Sequence, residues 1–325
     1  MRPELLSAGE VAASAASIAS MQEPDGAIPW TTGEHTDVWN HVEAAMALLV
    51  GGELEAAARA YEWVHAGQRA DGSWPLKSLR GRVDDASGET NMSAYVAVGT
   101  WHHWLVCRDI AFVRRMWPTV RRGLDFVCSL QLPFGGIAWS QEWDDGHPAH
   151  VNDEALLAGS SSIYQSLRAG VALADLLDDL QPEWELVGGR LGHGLREHRE
   201  QFADKSTFAM DWYYPVLGGA VRGDAARALL DERWDDFVVP GLGIRCVDTN
   251  PWVTAAESCE LVLALDAIGD REQALRLFAD VQNLRDSSGG YWTGYVYDDR
   301  AIWPRELTTY TAAAVILAQD ALTEG

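Results

Sequence analysis

The chain has 325 residues, 47% of them hydrophobic, and sets 25 Lys plus Arg against 48 Asp plus Glu, for a formal net charge of −23. So acidic a chain is repelled by phosphate backbones and anionic lipid, which excludes nucleic acid as a partner and argues against membrane insertion. Cys107, Cys128, Cys246 and Cys259 are scattered, with no CxxC pair and no His at ligand spacing, so they read as buried thiols with neither a disulfide framework nor a metal site, and no organic cofactor is called for.

The N-terminal stretch is Ala/Ser-rich with Glu4 and Glu10 inside it, which suits an amphipathic helix and not a secretory segment. No run is long and apolar enough to span a bilayer, and a cytoplasmic protein is expected. Helical periodicity and cap signals predict helices near 4–21, 37–50, 53–68, 91–107, 110–130, 154–179, 183–202, 208–218, 222–232, 252–268, 271–285 and 306–322. Strand patterns are nearly absent; Phe237-Val238-Val239 is a short piece able to pair locally, and no sheet is implied.

The connections alternate in length. Links after the even helices are a few residues, such as Gly51-Gly52, Arg108-Asp109 and Gly269-Asp270. Links after the odd helices are long, at 22–36, 69–90, 131–153, 233–251 and 286–305, with only 203–207 short. Twelve helices so connected close into six hairpins around one axis: an all-α, (α/α)6 toroid spanning 1–325 as a single domain. The even helices are richer in small and apolar residues, as in Val42-Glu43-Ala44-Ala45 and Thr311-Ala312-Ala313-Ala314, and are expected to form the inner wall. The long loops and the N-termini of the inner helices then share one end, where a site is expected.

A phrase of Gln, Gly and Trp punctuates the helices: Gln22–Gly26–Trp30, Gln68–Gly72–Trp74, Gln131–Gly136–Trp139 and Gln282–Gly290–Trp292. The Gln bonds orphan carbonyls of a helix end, the Gly takes the left-handed turn, and the Trp covers it. The four indoles are either stacking faces for a ligand or pins between hairpins.

The inner-helix entries alternate carboxylates with aromatic rings. They comprise Glu34, His35, Asp37, Trp39 and Asn40; Glu89, Asn91 and Tyr95; Glu142, Trp143, Asp144, Asp145, Asn152, Asp153 and Glu154; Asp211, Trp212 and Tyr213; Trp252 and Glu257; and Trp303, Glu306 and Tyr310. A pyranose offers hydroxyls to carboxylates and C–H faces to indoles, so this is the composition of a sugar site. Simpler roles fit several positions: Asp37, Asn91, Asp153 and Glu306 as helix caps, Asp144-Asp145 as a turn, Glu43 and Glu260 as interhelical polar contacts, and His102 and His103 as packing groups. Carboxylates converging on one cavity are expected to raise one another's pKa and so separate an acid from a base.

The Gln-to-Gly-to-Trp phrases resemble the QW repeats of squalene–hopene cyclases and the prenyltransferase-like toroid, which implies a helical ring; Gln68 to Trp74 fits the Q-x-x-x-G-x-W form fully. The cyclases' DxDD acid motif is not present, and Cys246 and Asp248 have no downstream His with which to hold a prenyltransferase zinc. A second resemblance is to the six-hairpin glycosidases. Gly159-Ser160-Ser161-Ser162-Ile163 after Asp153-Glu154 is similar to their sixth-helix entry, without the Trp that precedes the family's acid. Leu307-Thr308-Thr309-Tyr310-Thr311-Ala312 is similar to their last helix, and Tyr291-Trp292-Thr293-Gly294 holds no carboxylate where their base lies.

The combined expectation is a toroid whose mouth binds a small-molecule or oligosaccharide substrate and hydrolyses a glycosidic bond with inversion, through two carboxylates about 6.5 to 9.5 Å apart. The resemblance implies Glu154 as the acid, with Glu142 or Asp153 as substitutes; position alone gives Glu306 as the base, with Glu257 or Asp37 as substitutes. Trp39, Trp212, Trp252 and Trp303 would be platforms, with Glu34, Asn40, Trp143, Asp145, Asp211, Tyr213 and Tyr310 as further substrate contacts. The alternatives are a cyclase/prenyltransferase-like enzyme acting on a polyprenyl substrate and a glycan-binding ring without catalysis.

Overall fold

In the computed structural model, which describes residues 5–324, the expected helices appear in order. They are α1 (Ala8–Met21), α2 (Val38–Val50), α3 (Leu54–Gly67), α4 (Thr90–Cys107), α5 (Ile110–Ser129), α6 (Leu157–Leu176), α7 (Pro182–Glu197), α8 (Ala209–Leu217), α9 (Gly223–Glu232), α10 (Ala255–Ala267), α11 (Arg271–Val281) and α12 (Thr309–Glu324). A single further turn, Trp234–Phe237, follows α9. The expected start of the first helix at residue 4 lies outside the described residues; α1 begins after Ser7, whose side chain and Glu10 form a capping box.

The even helices form the inner ring. Neighbours α2, α4, α6, α8 and α10 pack in sequence, α12 follows α10, and α12 packs back onto α2 to close the circle. Their sequences explain the placement. In α2 every residue from His41 to Leu49 is buried, and in α12 Ala312, Ala313, Ala314, Val315 and Ile316 are all inaccessible to water, so these helices are covered on all sides and carry small side chains. The outer helices bury one stripe: in α3 it is Ala56, Ala57, Ala60, Tyr61 and Val64.

The Gln–Gly phrases join successive outer helices. Gln22 Nε2 donates to the Gly26 and Ala56 carbonyls, Gln68 Nε2 to those of Gly72 and Thr119, and Gln131 Nε2 to those of Gly135 and Val187, each at 2.9–3.0 Å. In each case the Gln on one outer helix's end grips its own turn and a backbone carbonyl of the next outer helix. Gly26, Gly72 and Gly135 have φ between +99° and +104°, and an added Cβ would sit 2.0–2.5 Å from the carbonyl oxygens of Arg59, Arg122 and Arg190. The glycine is thus required both by the left-handed turn and by the close approach. In the third copy it is Gly135, one residue before the Gly136 read from sequence. The last copy differs: Gln282 Nε2 bonds back to Phe278, and the seam to α1 is made by Gly289, against Ala13, and by Ser14 Oγ donating to the Gly289 carbonyl.

The expectation that no sheet forms is corrected. Antiparallel strands gather in the long links: β1 (Lys77–Leu79) with β2 (Arg82–Asp85); β3 (Gly88–Glu89) with β4 (Ser140–Asp144) and β5 (His147–Val151); and a five-stranded sheet ordered β10-β9-β8-β7-β6, from β6 (Val238–Val239), β7 (Gly243–Arg245), β8 (Trp252–Thr254), β9 (Gly294–Val296) and β10 (Ala301–Ile302). Strands of two to five residues are too short to show alternation. Residues 252–254, read as the start of a helix, instead pair with Gly294–Val296, as an aromatic and β-branched run readily does. The thiols are also not uniformly buried: Cys259 is, whereas Cys107 is exposed.

Candidate active site

Because the inner helices all start at the end that carries the long links, their first turns surround one bowl. At its floor, in the second turns of α2 and α10, lie two fully buried carboxyls. Glu260 accepts hydrogen bonds from the hydroxyls of Tyr213, Tyr214 (2.8 Å) and Tyr310 (2.9 Å), and Glu43 accepts one from Tyr95 (2.9 Å). Burial raises both carboxyl pKa values, and the charge of Glu260 adds to the shift on Glu43. The sequence reading of these two as interhelical polar contacts matches this geometry.

One tier nearer the mouth are the caps. Asp37 ends its loop as the N-cap of α2, with Oδ1 accepting from the Asn40 backbone N–H (2.9 Å) and Oδ2 from Asn40 Nδ2 (2.6 Å). His35 Nε2 stands 3.8 Å from Oδ2. Asp37 is buried, and desolvation raises its pKa against the lowering effect of these hydrogen bonds. Glu89, the N-cap of α4, is pushed up to about 8, chiefly by burial, with the neighbouring Asp37 adding to it. The cap of α4 is therefore Glu89 and not Asn91. The dominant cause of both shifts is desolvation, opposed by the caps' hydrogen bonds.

Aromatic rings fill the same tier. Trp39 lies 4.8 Å from Tyr95 and 5.5 Å from Tyr310 between ring centroids, and its indole N–H has no partner among the described residues. Trp30 packs on Tyr310 (5.7 Å) and stacks on His35 (6.3 Å). Glu257, in the first turn of α10, is half-buried and near enough to Cys246, Tyr213, Glu260 and Tyr310 to act on them electrostatically. Tyr310 thus packs on Trp39 and lies within electrostatic reach of Glu257.

Other expected site residues are placed differently. Glu34, Glu142, Asp145, Asp153 and Glu154 are exposed on the loops, Asp145 at the tip of the β4–β5 hairpin with φ +46°. Asp153 does not cap α6, which starts after Leu156, and Glu306 does not cap α12; its Oε1 accepts from Trp30 Nε1 (3.2 Å). Trp212 turns outward, donating to the Leu229 and Leu230 carbonyls of α9 and stacking on Phe237, so its ring packs the wall. Trp252 and Trp303 form an edge-on pair (5.2 Å) at the rim, with Trp252 Nε1 bound to the Trp303 carbonyl. Trp143 lies under the Arg69 guanidinium (4.0 Å). Asp211 ties α8 to α6 by accepting from the Ala158 N–H, and burial raises it to about 6. Of the phrase tryptophans, Trp74 is a pin, buried with its N–H on the Val64 carbonyl. Sequence reasoning placed Glu89 at the mouth without a role; its readable signal is its position directly before an inner helix.

No protein-family model matches the chain. The MMP endo-(1,4)-3-O-methyl-alpha-D-mannosidase of Mycolicibacterium hassiacum is 55% identical over 320 residues, covering 98% of this chain and 88% of the relative. Among solved structures, a glycosidase variant in complex with glucose superposes with a TM-score of 0.72 at 15% identity, over 97% of this chain and 98% of that one. A D-mannose isomerase superposes at 0.74 with 11% identity, over 97% and 96%. At those identities the solved structures establish a shared helical toroid, while the sequence relative establishes the lineage. The chain belongs to the family of that endo-mannosidase and is a glycoside hydrolase acting on a carbohydrate.

Proposed function

We propose that the enzyme cleaves α-(1,4) bonds inside chains of 3-O-methylmannose, with inversion, using Asp37 as general acid and Glu257 as general base. The substrate comes from the relative, whose name states that linkage and sugar. The observation that carries the residue assignment is the contrast between two carboxyls on the inner-helix starts either side of α12: Asp37, the cap of α2, is buried with its pKa raised, and Glu257, in the first turn of α10, is half-buried. Glu154 is solvent-exposed on its loop and Glu306 is engaged by Trp30, so the base moves to its alternative Glu257, and Asp37, expected only as an alternative base, is reassigned as the acid.

In the reaction, the Asp37 proton passes to the glycosidic oxygen as the C1–O bond breaks. A water attacks C1 from the opposite face, and Glu257 takes its proton, so the new hemiacetal has the β configuration. Asn40, which donates to both Asp37 oxygens through backbone and side chain, fixes the carboxyl's orientation. Trp39, Trp30 and Tyr310 supply apolar faces suited to pyranose C–H groups and to the 3-O-methyl substituent.

The test is hydrolysis of a 4-linked 3-O-methylmannose oligosaccharide by Asp37→Asn and Glu257→Gln. Each is expected to lose at least about 100-fold in kcat, the range of general acid–base catalysis, with an unchanged circular dichroism spectrum. NMR of the wild-type reaction should show the β-anomer first. Either variant retaining a tenth of the wild-type rate, or an α-anomer as first product, removes the assignment; cleavage of unmethylated mannan at an equal rate removes the substrate.

A further inference from the structure

The wall of the bowl is uneven. Between α7 and α8 the link spans 198–208 and holds only the 3-10 turn Arg199–Gln201 and two bridges, Leu156 with Ala203 and Phe208 with Val247. The links on either side of it, 130–156 and 233–254, are much longer and carry the β4–β5 hairpin and strands β6 to β8. The wall is therefore notched at this hairpin. A groove of about 480 Å³ occupies the notch, lined by Leu157, Arg199, Asp204, Ser206, Asp211 and Arg233 among others. Leu157 and Asp211 belong to the first turns of α6 and α8, so the groove begins at the bowl's own rim. On the same link Phe208, immediately before α8, leaves 44% of its surface in water.

We infer that the notch is the path by which the substrate chain leaves the bowl, a distal subsite in which Phe208 stacks on a sugar ring while the groove's charged and hydroxyl side chains bind sugar hydroxyls. This rests on the endo reading above. An enzyme that cuts within a chain must let both ends of the substrate pass out of the site, which an unbroken wall of long loops would prevent. The lining suits that occupant: guanidinium groups of Arg199 and Arg233, carboxylates of Asp204 and Asp211 and the Ser206 hydroxyl interleave donors and acceptors, and the exposed Phe208 follows Ser206 by two residues on the same link. Arg233 is held in place by Asp236 and Asp248, and Ser206 by Asp204 (2.7 Å), so the groove is shaped before a ligand enters.

Two variants test it, Ser206→Trp to fill the groove and Phe208→Ala to remove the exposed ring; neither residue belongs to the acid–base pair. Affinity is measured by calorimetry, in the Asp37→Asn background, for a methylated mannan of about ten sugars and for a trisaccharide. Each variant is expected to lose about tenfold in affinity for the long chain and to leave trisaccharide binding unchanged. Equal losses for both ligands, or no loss for either, overturn the exit path. Failure of the parent to bind either methylated ligand instead sinks the substrate reading, and the inference with it, and is told apart by appearing without any groove variant.

Discussion

Glu89 shows how a buried carboxyl at a helix cap couples the site to pH. Its folded pKa is about 8 against an ordinary 4.5, because burial disfavours its charge and Asp37 faces it from α2. Between those values the folded chain keeps a proton that the unfolded chain has released. The native state therefore binds more protons, and stability falls as pH rises through this window. Glu89→Gln keeps an acceptor for the Met92 N–H but cannot titrate. In urea unfolding from pH 5.5 to 8, the variant should gain stability relative to the wild type as pH rises. Parallel curves would mean that Glu89 is already ionised in the folded protein.

At the scale of elements, the Gln–Gly turn does what a hydrophobic interface alone would not: it sets the spacing of consecutive outer helices. At Gly72 both constraints act together, with φ +99° and an added Cβ 2.0 Å from the Arg122 carbonyl oxygen, while Gly52 has φ +87° with open space around it. Gly52→Ala should cost about 1–2 kcal/mol, the strain of the left-handed conformation alone. Gly72→Ala should cost at least ~3 kcal/mol, because either the turn or α5 must move. Equal midpoints in denaturant titrations of the two variants would show that α5 yields freely. This same feature made the fold legible: a helix stop repeated along the chain, with links of alternating length, suffices to infer a ring. The mouth was only partly readable. Asp37, Trp39 and Tyr310 sit at helix starts that the cap pattern locates, and the structure brings them together. Glu154 and Trp212 have the same local signals, yet one projects into water and the other into the wall, because loop trajectory and helix rotation are set by tertiary packing. Apart from Val238-Val239, read as able to pair locally, the strands of the mouth sheets were invisible for a related reason, each being only two to five residues long and defined by a distant partner.

For the whole molecule, the decisive property is that the circle closes. Open repeat arrays lose stability roughly one repeat at a time, since each unit touches only its neighbours. Here α12 packs against both α10 and α2, α1 packs on α12, and Gln319 bonds the Leu6 backbone through both its side-chain oxygen (2.8 Å) and nitrogen (3.3 Å). Removing α12 would open two inner interfaces at once, take Tyr310 from the buried Glu260, and admit water to an axis lined by carboxyls whose burial is matched by hydrogen bonds. A chain ending at residue 308 should therefore lose far more helical ellipticity than the missing sixteen-residue helix accounts for, and should show no sharp thermal transition by calorimetry. A truncated chain that keeps its other helices and melts cooperatively would mean that five hairpins form a stable open array, and that the ring's closure shapes the active site without being what holds the fold together.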